Sequence, residues 1–374
     1  MNILEVSRGL PCAKYPMNGI FEWDQAKALA GAGHNVFFAA IDLRSVLRVR
    51  KFGISHKIIE GIDVYEYSVP LGRVPSFLIK FFSWYCLRKI IKRISKKDKI
   101  DIVHFHFAET VIGSALKLKD KTGLDYIVTE HSSKVNADAV DKSVKQEIKK
   151  VYHCSKANIA VSPDFAETLR RLYDEKFVYI PNVVDLGVMG TVNRVEHNGY
   201  NFVSVGNLIP RKGMDVTIKS FKLFYRENPN SSLTIVGDGP QRENLEKLVR
   251  SENLSDCVTF CGRLTRDRIK EVFDKSDCFV LASKGETFGV VYIEAMAAGL
   301  PVIATKCGGP EGFVNDSNGV LVEINDVEKL ADAMQEISLK SYNPDKLNRF
   351  CLENFAPEVI ANKLTELING VIVN

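Results

Sequence analysis

Two carboxylates, Glu286 and Glu294, flank a Phe288-Gly289 turn inside the segment 283–311. The segment continues through the Ala-rich run 295–298 into an apolar stretch at Val302-Ile303-Ala304. Packing alone gives little reason to hold one carboxylate before a glycine turn and another inside such a helix. A ligand with hydroxyls at both ends supplies a reason, because a carboxylate accepts two hydroxyl hydrogen bonds and suits a ribose or hexose diol. Glu294 lies eight residues after Glu286. In unbroken helix that is about 12 Å along the axis, comparable with the reach from a nucleotide's ribose to a hexose beyond its diphosphate. The plainer alternatives are a helix cap for Glu286 and an ordinary surface pair for Glu294.

A second group of chemistry-bearing residues is cationic. Val205-Gly206-Asn207-Leu208-Ile209-Pro210-Arg211-Lys212-Gly213 follows a strand pattern and precedes a helical one. Arg211 and Lys212 open that helix, where free backbone N–H groups and the helix dipole already favour an anion. An arginine grips two oxygens at once and a lysine supplies a mobile point charge, a pairing suited to a diphosphate. A solvated basic turn is the equal alternative. The glycine turn of Val236-Gly237-Asp238-Gly239-Pro240 needs no ligand; reversing the chain is sufficient.

These residues need a frame, and the pattern of the chain supplies one. Short Val/Ile-rich runs alternate with helical patterns from end to end. Residues 3–7, 35–40, 101–105, 126–129 and 158–161 read as strands of a first half, and 201–205, 233–236, 258–260, 278–281 and 302–304 as strands of a second. Apolar runs separated by helices mark parallel sheets covered on both faces, so each half reads as a doubly wound, Rossmann-like α/β domain. The chain's 374 residues suit two domains. The expected boundaries are 1–185 and 186–354, with a helix at about 355–374 returning to the first domain. The break falls in 182–200, where Gly and Asn are dense and periodicity disappears. Ligands of such folds bind outside the strand ends, and two facing domains create a cleft there.

Composition narrows the classes further. Hydrophobic residues make up 45% and charged residues 26%, which is globular and not disordered. The net charge of +4 hides an asymmetry. Residues 1–100 hold 17 Lys and Arg against 8 Asp and Glu, a net of +9, and the rest of the chain has a net of −5. The basic region predicts an anionic partner surface and not nucleic acid. Eight cysteines without CxxC or cysteine–histidine spacing point away from zinc and towards a reduced cytoplasm. The opening Met1-Asn-Ile-Leu-Glu-Val6 reads as a strand and not as a signal peptide, and no uncharged apolar run reaches spanning length.

The first half gives fainter signals. Asn18-Gly19 precedes a helix at Ile20–Ala30, where Gly19 would let backbone approach a ligand closely. Gly31-Ala32-Gly33 comes after that helix and is a C-cap, not a dinucleotide loop. His104 and His106 share a strand face. With His131 they make a possible metal triad that no carboxylate spacing supports, so His104 is read as strand-end packing and His106 as polar core or acceptor side. Phe77–Lys99 joins aromatics to a basic tail. It reads either as a helix packed on its domain or as an interfacial helix on anionic lipid, with Arg44, Arg48, Arg50 and Lys51 adding to its charge.

Glu286-x7-Glu294, followed by Ala-Met-Ala-Ala-Gly-Leu-Pro-Val-Ile-Ala and Gly308-Gly-Pro-Glu311, resembles family 4 of the retaining glycosyltransferases, which have the GT-B fold. Arg211-Lys212-Gly213 and Val236-Gly-Asp-Gly-Pro240 extend the likeness, which covers most of the chain. The resemblance implies that Glu286 contacts the transferred sugar, Glu294 holds the ribose, and Arg211 with Lys212 contacts the diphosphate. It also places His131 near the transferred sugar. Gly19, Gly206, Phe288, Gly289 and Val290 complete the donor side, through backbone groups beside the diphosphate or sugar. Two departures stand out. Asn207 replaces an arginine common in such proteins, a loss that Arg211 is expected to cover, and Val183 replaces a glycine of the linker.

The expectation is a metal-independent transferase moving a hexose from a nucleoside diphosphate sugar, of UDP or GDP type, to an acceptor hydroxyl with retention. No Asp-x-Asp metal motif is evident, so cations and helix dipoles take the metal's place, no further cofactor is needed, and domain closure completes the site. The acceptor is expected to be a carbohydrate or lipid-linked saccharide in bacterial surface polysaccharide or glycolipid synthesis. The protein would be cytoplasmic, peripheral on the inner face of the plasma membrane. Rival readings are a GT-B-like nucleotide-sugar epimerase and a non-catalytic sugar-nucleotide sensor. A dinucleotide dehydrogenase is disfavoured, because no Gly-x-Gly-x-x-Gly opens a helix after a strand.

Overall fold

Short runs rich in Val, Ile and Phe, most of them buried on both faces, pair in parallel. The computed structural model describes residues 1–12, 15, 18–44, 52–72 and 74–373. Arg48, Arg50 and Lys51, counted above with the basic region, lie outside them. Two units result: Met1–Val183 with Pro357–Asn374, and Val184–Ala356.

The first unit holds β1 (Asn2–Ser7), β2 (Asn35–Asp42), β3 (Gly53–Ile59), β4 (Ile62–Ser68), β5 (Ile102–His106), β6 (Tyr126–Glu130), β7 (Ala157–Ala160) and β8 (Val178–Tyr179). Their order is β3-β4-β2-β1-β5-β6-β7-β8, parallel except for the β3–β4 hairpin. The periodicity did not reveal that hairpin or β8. The turn of the hairpin, Glu60-Gly61, takes positive φ at both residues, as a tight hairpin demands. β3 is largely exposed, so it lacks the apolar run that marks the other strands. The helix Pro357–Val373 adds Ile360, Ala361, Leu364 and Ile368 to a core that also contains Ile3, Trp23, Leu29 and Phe38.

The second unit holds β9 (Asn201–Val205), β10 (Ser232–Val236), β11 (Val258–Gly262), β12 (Cys278–Leu281), β13 (Val302–Thr305) and β14 (Gly319–Val322). Their order is β11-β10-β9-β12-β13-β14, and every pairing is parallel. β14, only four residues long and opened by a glycine, was not anticipated. β9 and β12 are neighbours although the chain reverses its winding between them, the switch point at which ligands of doubly wound sheets bind.

The turns at this sheet edge are closely packed. Gly213 has φ +60° and caps the helix Met214–Glu227; a Cβ there would collide with the carbonyl oxygen of Ala282, just past β12. A side chain therefore meets both a disfavoured conformation and another backbone. Gly213→Ala is expected to lower stability by roughly 2–5 kcal/mol, the sum of the left-handed cost and overpacking. A urea unfolding midpoint equal to wild type would refute this account of the turn.

Candidate functional site

In the second unit the site begins at the ends of β9 and β12. Pro210–Lys212 forms a single 3-10 turn before the helix Met214–Glu227. Lys284 N donates to Arg211 O at 2.7 Å, and the Arg211 guanidinium donates to Gly285 O at 2.6 Å. The two loops are thus stitched together before any acid–base contact is counted. Lys212 Nζ then reaches Glu286 Oε1 at 2.5 Å, and Arg211 Nη1 lies 3.8 Å from Glu286 Oε2. Ser283 Oγ donates to the same Glu286 Oε1 at 2.6 Å, and the Thr305 hydroxyl holds the Ser283 carbonyl. Sequence reasoning had passed over Ser283.

Glu286 is buried and does not cap the helix Val290–Ala297. That role belongs to Gly289, at φ +103°, which leaves the first backbone N–H groups without a side-chain cap. The helix starts only at Val290, so the unbroken-helix estimate for the distance between Glu286 and Glu294 does not apply. The ring of Phe288 is buried against Phe313 and Phe355, each with centroids 5.8 Å away, leaving its backbone as the part available to a ligand. Gly206 lies at the end of β9, and its carbonyl is packed against Gly237 so closely that a Cβ on Gly237 would strike it. The glycine turn after β10 thus serves packing.

Glu294 lies on the helix Val290–Ala297 and accepts from Arg266 Nη2 at 2.6 Å. Arg266 also donates to Asp185 O at 2.7 Å. The surface-pair alternative for Glu294 is therefore realised here, through a residue that the motif did not signal.

In the first unit, Gly19 has φ +75° and caps the helix Ile20–Gly31; a Cβ there would collide with Gly9 O. Its own backbone already demands glycine. The three histidines come together around a carboxylate that sequence reasoning missed. Glu5 accepts from His104 Nδ1 at 3.0 Å and His106 Nε2 at 2.7 Å. His104 Nε2 lies 2.7 Å from Thr129 Oγ1, and His106 Nδ1 lies 3.0 Å from His131 Nε2. All four are buried. The clue was available: Glu5 interrupts an otherwise apolar strand. Ligand atoms of Glu5, His104 and His106 lie within 4.8 Å of one another, a spacing that a cation also accepts.

Burial raises the Glu5 carboxyl, but the charge and hydrogen bonds of His104 and His106 prevail and bring it down to about 2. Burial lowers His104, and lowers His131 well below the usual imidazole value, where His106, His104 and Arg8 add to it. Asn182 pulls the His131 ring the other way, yet makes no hydrogen bond of good geometry with Nδ1. Glu130, itself raised by burial, accepts from the backbone N–H of His131 at 3.0 Å and of Ser132 at 2.9 Å, and from Tyr152 Oη at 2.6 Å.

Residues 192–350 match the family Glycosyl transferases group 1, and residues 23–188 match Glycosyltransferase Family 4. The chain belongs to the family 4 glycosyltransferases of the GT-B type. It is similar to the alpha-monoglucosyldiacylglycerol synthase of Acholeplasma laidlawii, at 25% identity over 71% of this chain and 75% of the relative. The N-acetyl-alpha-D-glucosaminyl L-malate synthase of Bacillus anthracis is also 25% identical, over 88% of this chain and 86% of the relative. Among solved structures, a sucrose-phosphate synthase from Thermosynechococcus elongatus covers 100% of this chain and 99% of its own, with TM-score 0.78 and 22% identity. That likeness fixes the fold.

The buried cluster makes stability pH-dependent. Below about pH 6.5 the unfolded chain binds protons that the buried His104 and His131 refuse, and below about 4.5 the same holds for Glu5. Folded-state pKa values below the unfolded ones mean stability present at high pH and lost on acidification. The unfolding free energy should fall from pH 8 to pH 5, by up to about 1.4 kcal/mol per pH unit per group. His131→Phe should shallow that slope; a wild-type value constant over the range contradicts the argument.

Proposed function

We propose that this glycosyltransferase moves a hexose from a nucleoside diphosphate sugar to an acceptor hydroxyl with retention of anomeric configuration. The observation that carries the reading is the constellation of Lys212, Arg211 and Glu286 at the ends of β9 and β12. Two cations share one buried carboxylate, in a chain of this family. A diphosphate entering there takes over Lys212 and Arg211, and the released Glu286 receives sugar hydroxyls. The side chain of Arg211 is 41% exposed, free enough to turn onto phosphate in place of the arginine that Asn207 lacks. Uncapped N–H groups at Gly289 and Val290 add a preorganised positive end for the same anion.

In this reading Glu294 holds the ribose diol after exchanging Arg266 for it, and the leaving phosphate takes the acceptor's proton. No metal is assigned to the step. Arg211→Ala and Lys212→Ala should each weaken nucleoside diphosphate sugar binding by roughly 10- to 100-fold, the worth of a charge-assisted hydrogen bond. A thermal-shift titration with UDP- and GDP-hexoses measures this. Wild-type affinity in both variants would exclude the cation roles, and turnover abolished by chelator would exclude a metal-free step.

The acceptor is assigned to a lipid-linked saccharide or glycolipid, supported by the helix Ser76–Ile94. One face is buried through Trp84, Leu87, Ile90 and Ile91, against the helix Ala108–Thr122. The other exposes Phe77 (65%), Phe81 (51%) and Tyr85 (38%) near its start, and Arg88, Lys89, Lys92 and Arg93 towards its end. Lys80 is held by Glu147 at 2.6 Å. No helix among the described residues is long and apolar enough to cross a membrane. Exposed aromatics beside a basic end suit the surface of an anionic bilayer. Flotation with anionic and neutral vesicles should show preference for the anionic ones, lost in Phe77→Ser/Phe81→Ser; equal recovery from both refutes the assignment.

A further inference from the structure

The hydrogen bonds around Glu5 dictate where protons sit several residues away. A carboxylate can only accept, so His104 donates from Nδ1 and His106 from Nε2. A neutral His106 that has its proton on Nε2 turns a bare Nδ1 towards His131. The 3.0 Å contact between them then requires His131 to donate from Nε2. Its other nitrogen is left without a proton. That atom, His131 Nδ1, is buried and has no hydrogen-bonding partner among the described residues.

A buried acceptor left unpaired is costly and calls for an explanation. Glu22 Oε2 is another such atom, and the only further one among the described residues is the Tyr342 hydroxyl. Arg8 links the first two. Its Nε is 3.9 Å from Glu22 Oε1, and its guanidinium lies 3.9 Å over the Phe107 ring. Phe107 in turn lies 5.0 Å from the His131 ring, which stacks on Phe21 at 5.8 Å. The Arg8 side chain is 43% exposed, so this cover is the movable part of the cluster. Two unsatisfied buried oxygen and nitrogen atoms beside a movable cation are what a ligand rich in hydroxyl donors would satisfy.

We propose that Glu5 and His106 are positioning residues that fix the tautomer of His131, so that its bare Nδ1, together with Glu22, receives hydroxyl groups of the transferred hexose. The ligand half rests on the function proposed above; the tautomer half does not. A cation held by Glu5, His104 and His106 is the competing arrangement, since it would displace the protons on which the order of the chain depends.

The test is long-range ¹H–¹⁵N correlation of the full chain labelled with ¹⁵N-histidine at pH 8, with signals assigned through His131→Phe. Wild type should show His131 protonated on Nε2 and bare on Nδ1. In Glu5→Leu nothing accepts from His106 Nε2, so the order is released and the His131 proton moves at least in part to Nδ1. Thr129→Val, which removes only the outer partner of His104, should leave His131 unchanged. Glu5→Leu should also raise KM for the sugar nucleotide by on the order of tenfold, and Glu22→Gln should do so without altering the tautomer.

A wild-type His131 protonated on Nδ1 overturns the proposal even if no variant folds. So does one equivalent of metal in the purified chain, or an unmoved tautomer in folded Glu5→Leu. Each leaves the transferase reading intact. Failure of any nucleoside diphosphate hexose to bind a protein with the expected tautomer removes that reading, and the ligand half with it.

Discussion

The contact between Lys212 and Glu286 ties the loop after β9 to the loop after β12, and the second unit's edge is organised around it. Parallel strands deliver their C-terminal loops to one side of a sheet, so neighbouring strands necessarily bring such loops together. What is particular here is how little freedom remains. Gly213 lies against the Ala282 carbonyl, the Arg211 carbonyl accepts from Lys284 N while its guanidinium donates to the Gly285 carbonyl, and Ser283 shares the carboxylate with the lysine. A charged pair taken so far out of water is weak as a source of stability, because desolvation offsets most of its attraction. Its value is positional: it fixes the loop after β9 against the loop after β12.

Much of the frame was legible because buried parallel strands announce themselves as apolar runs, and ten of them were placed within a residue or two. The β3–β4 hairpin was missed because its outer strand is exposed and carries His56 and Lys57, so no buried face writes a pattern into it. The cationic turn and Glu286 stood out in the sequence by type and position. Their mutual contact was not, since 74 residues separate Lys212 from its partner. The distance argument for Glu294 went astray for a local reason: Gly289 starts the helix afresh, so spacing along the sequence does not translate into helical rise.

Glu5 shows a different limit. A single acid in a hydrophobic strand looks like noise until the neighbouring strand is known, and β1 pairs with β5 across 99 residues, opposing Glu5 to His104. Once paired, it converts three histidines with no common motif into an ordered series. Buried polar groups of this kind are costly unless every member is satisfied. Here the inner members are satisfied, and the unsatisfied atom lies at the end, on His131.

The return of residues 357–373 to the first unit also bears on how the protein is made. Ile360, Ala361, Leu364 and Ile368 complete a core begun by Ile3 and Trp23, with the whole of the second unit synthesised in between. On a ribosome the usual sequence, in which the earlier unit folds first, is therefore reversed. The second unit has all its strands available while the first still lacks one wall of its core. Until that helix emerges, the sheet begun at the N-terminus presents apolar surface to chaperones, and it is the unit more exposed to aggregation.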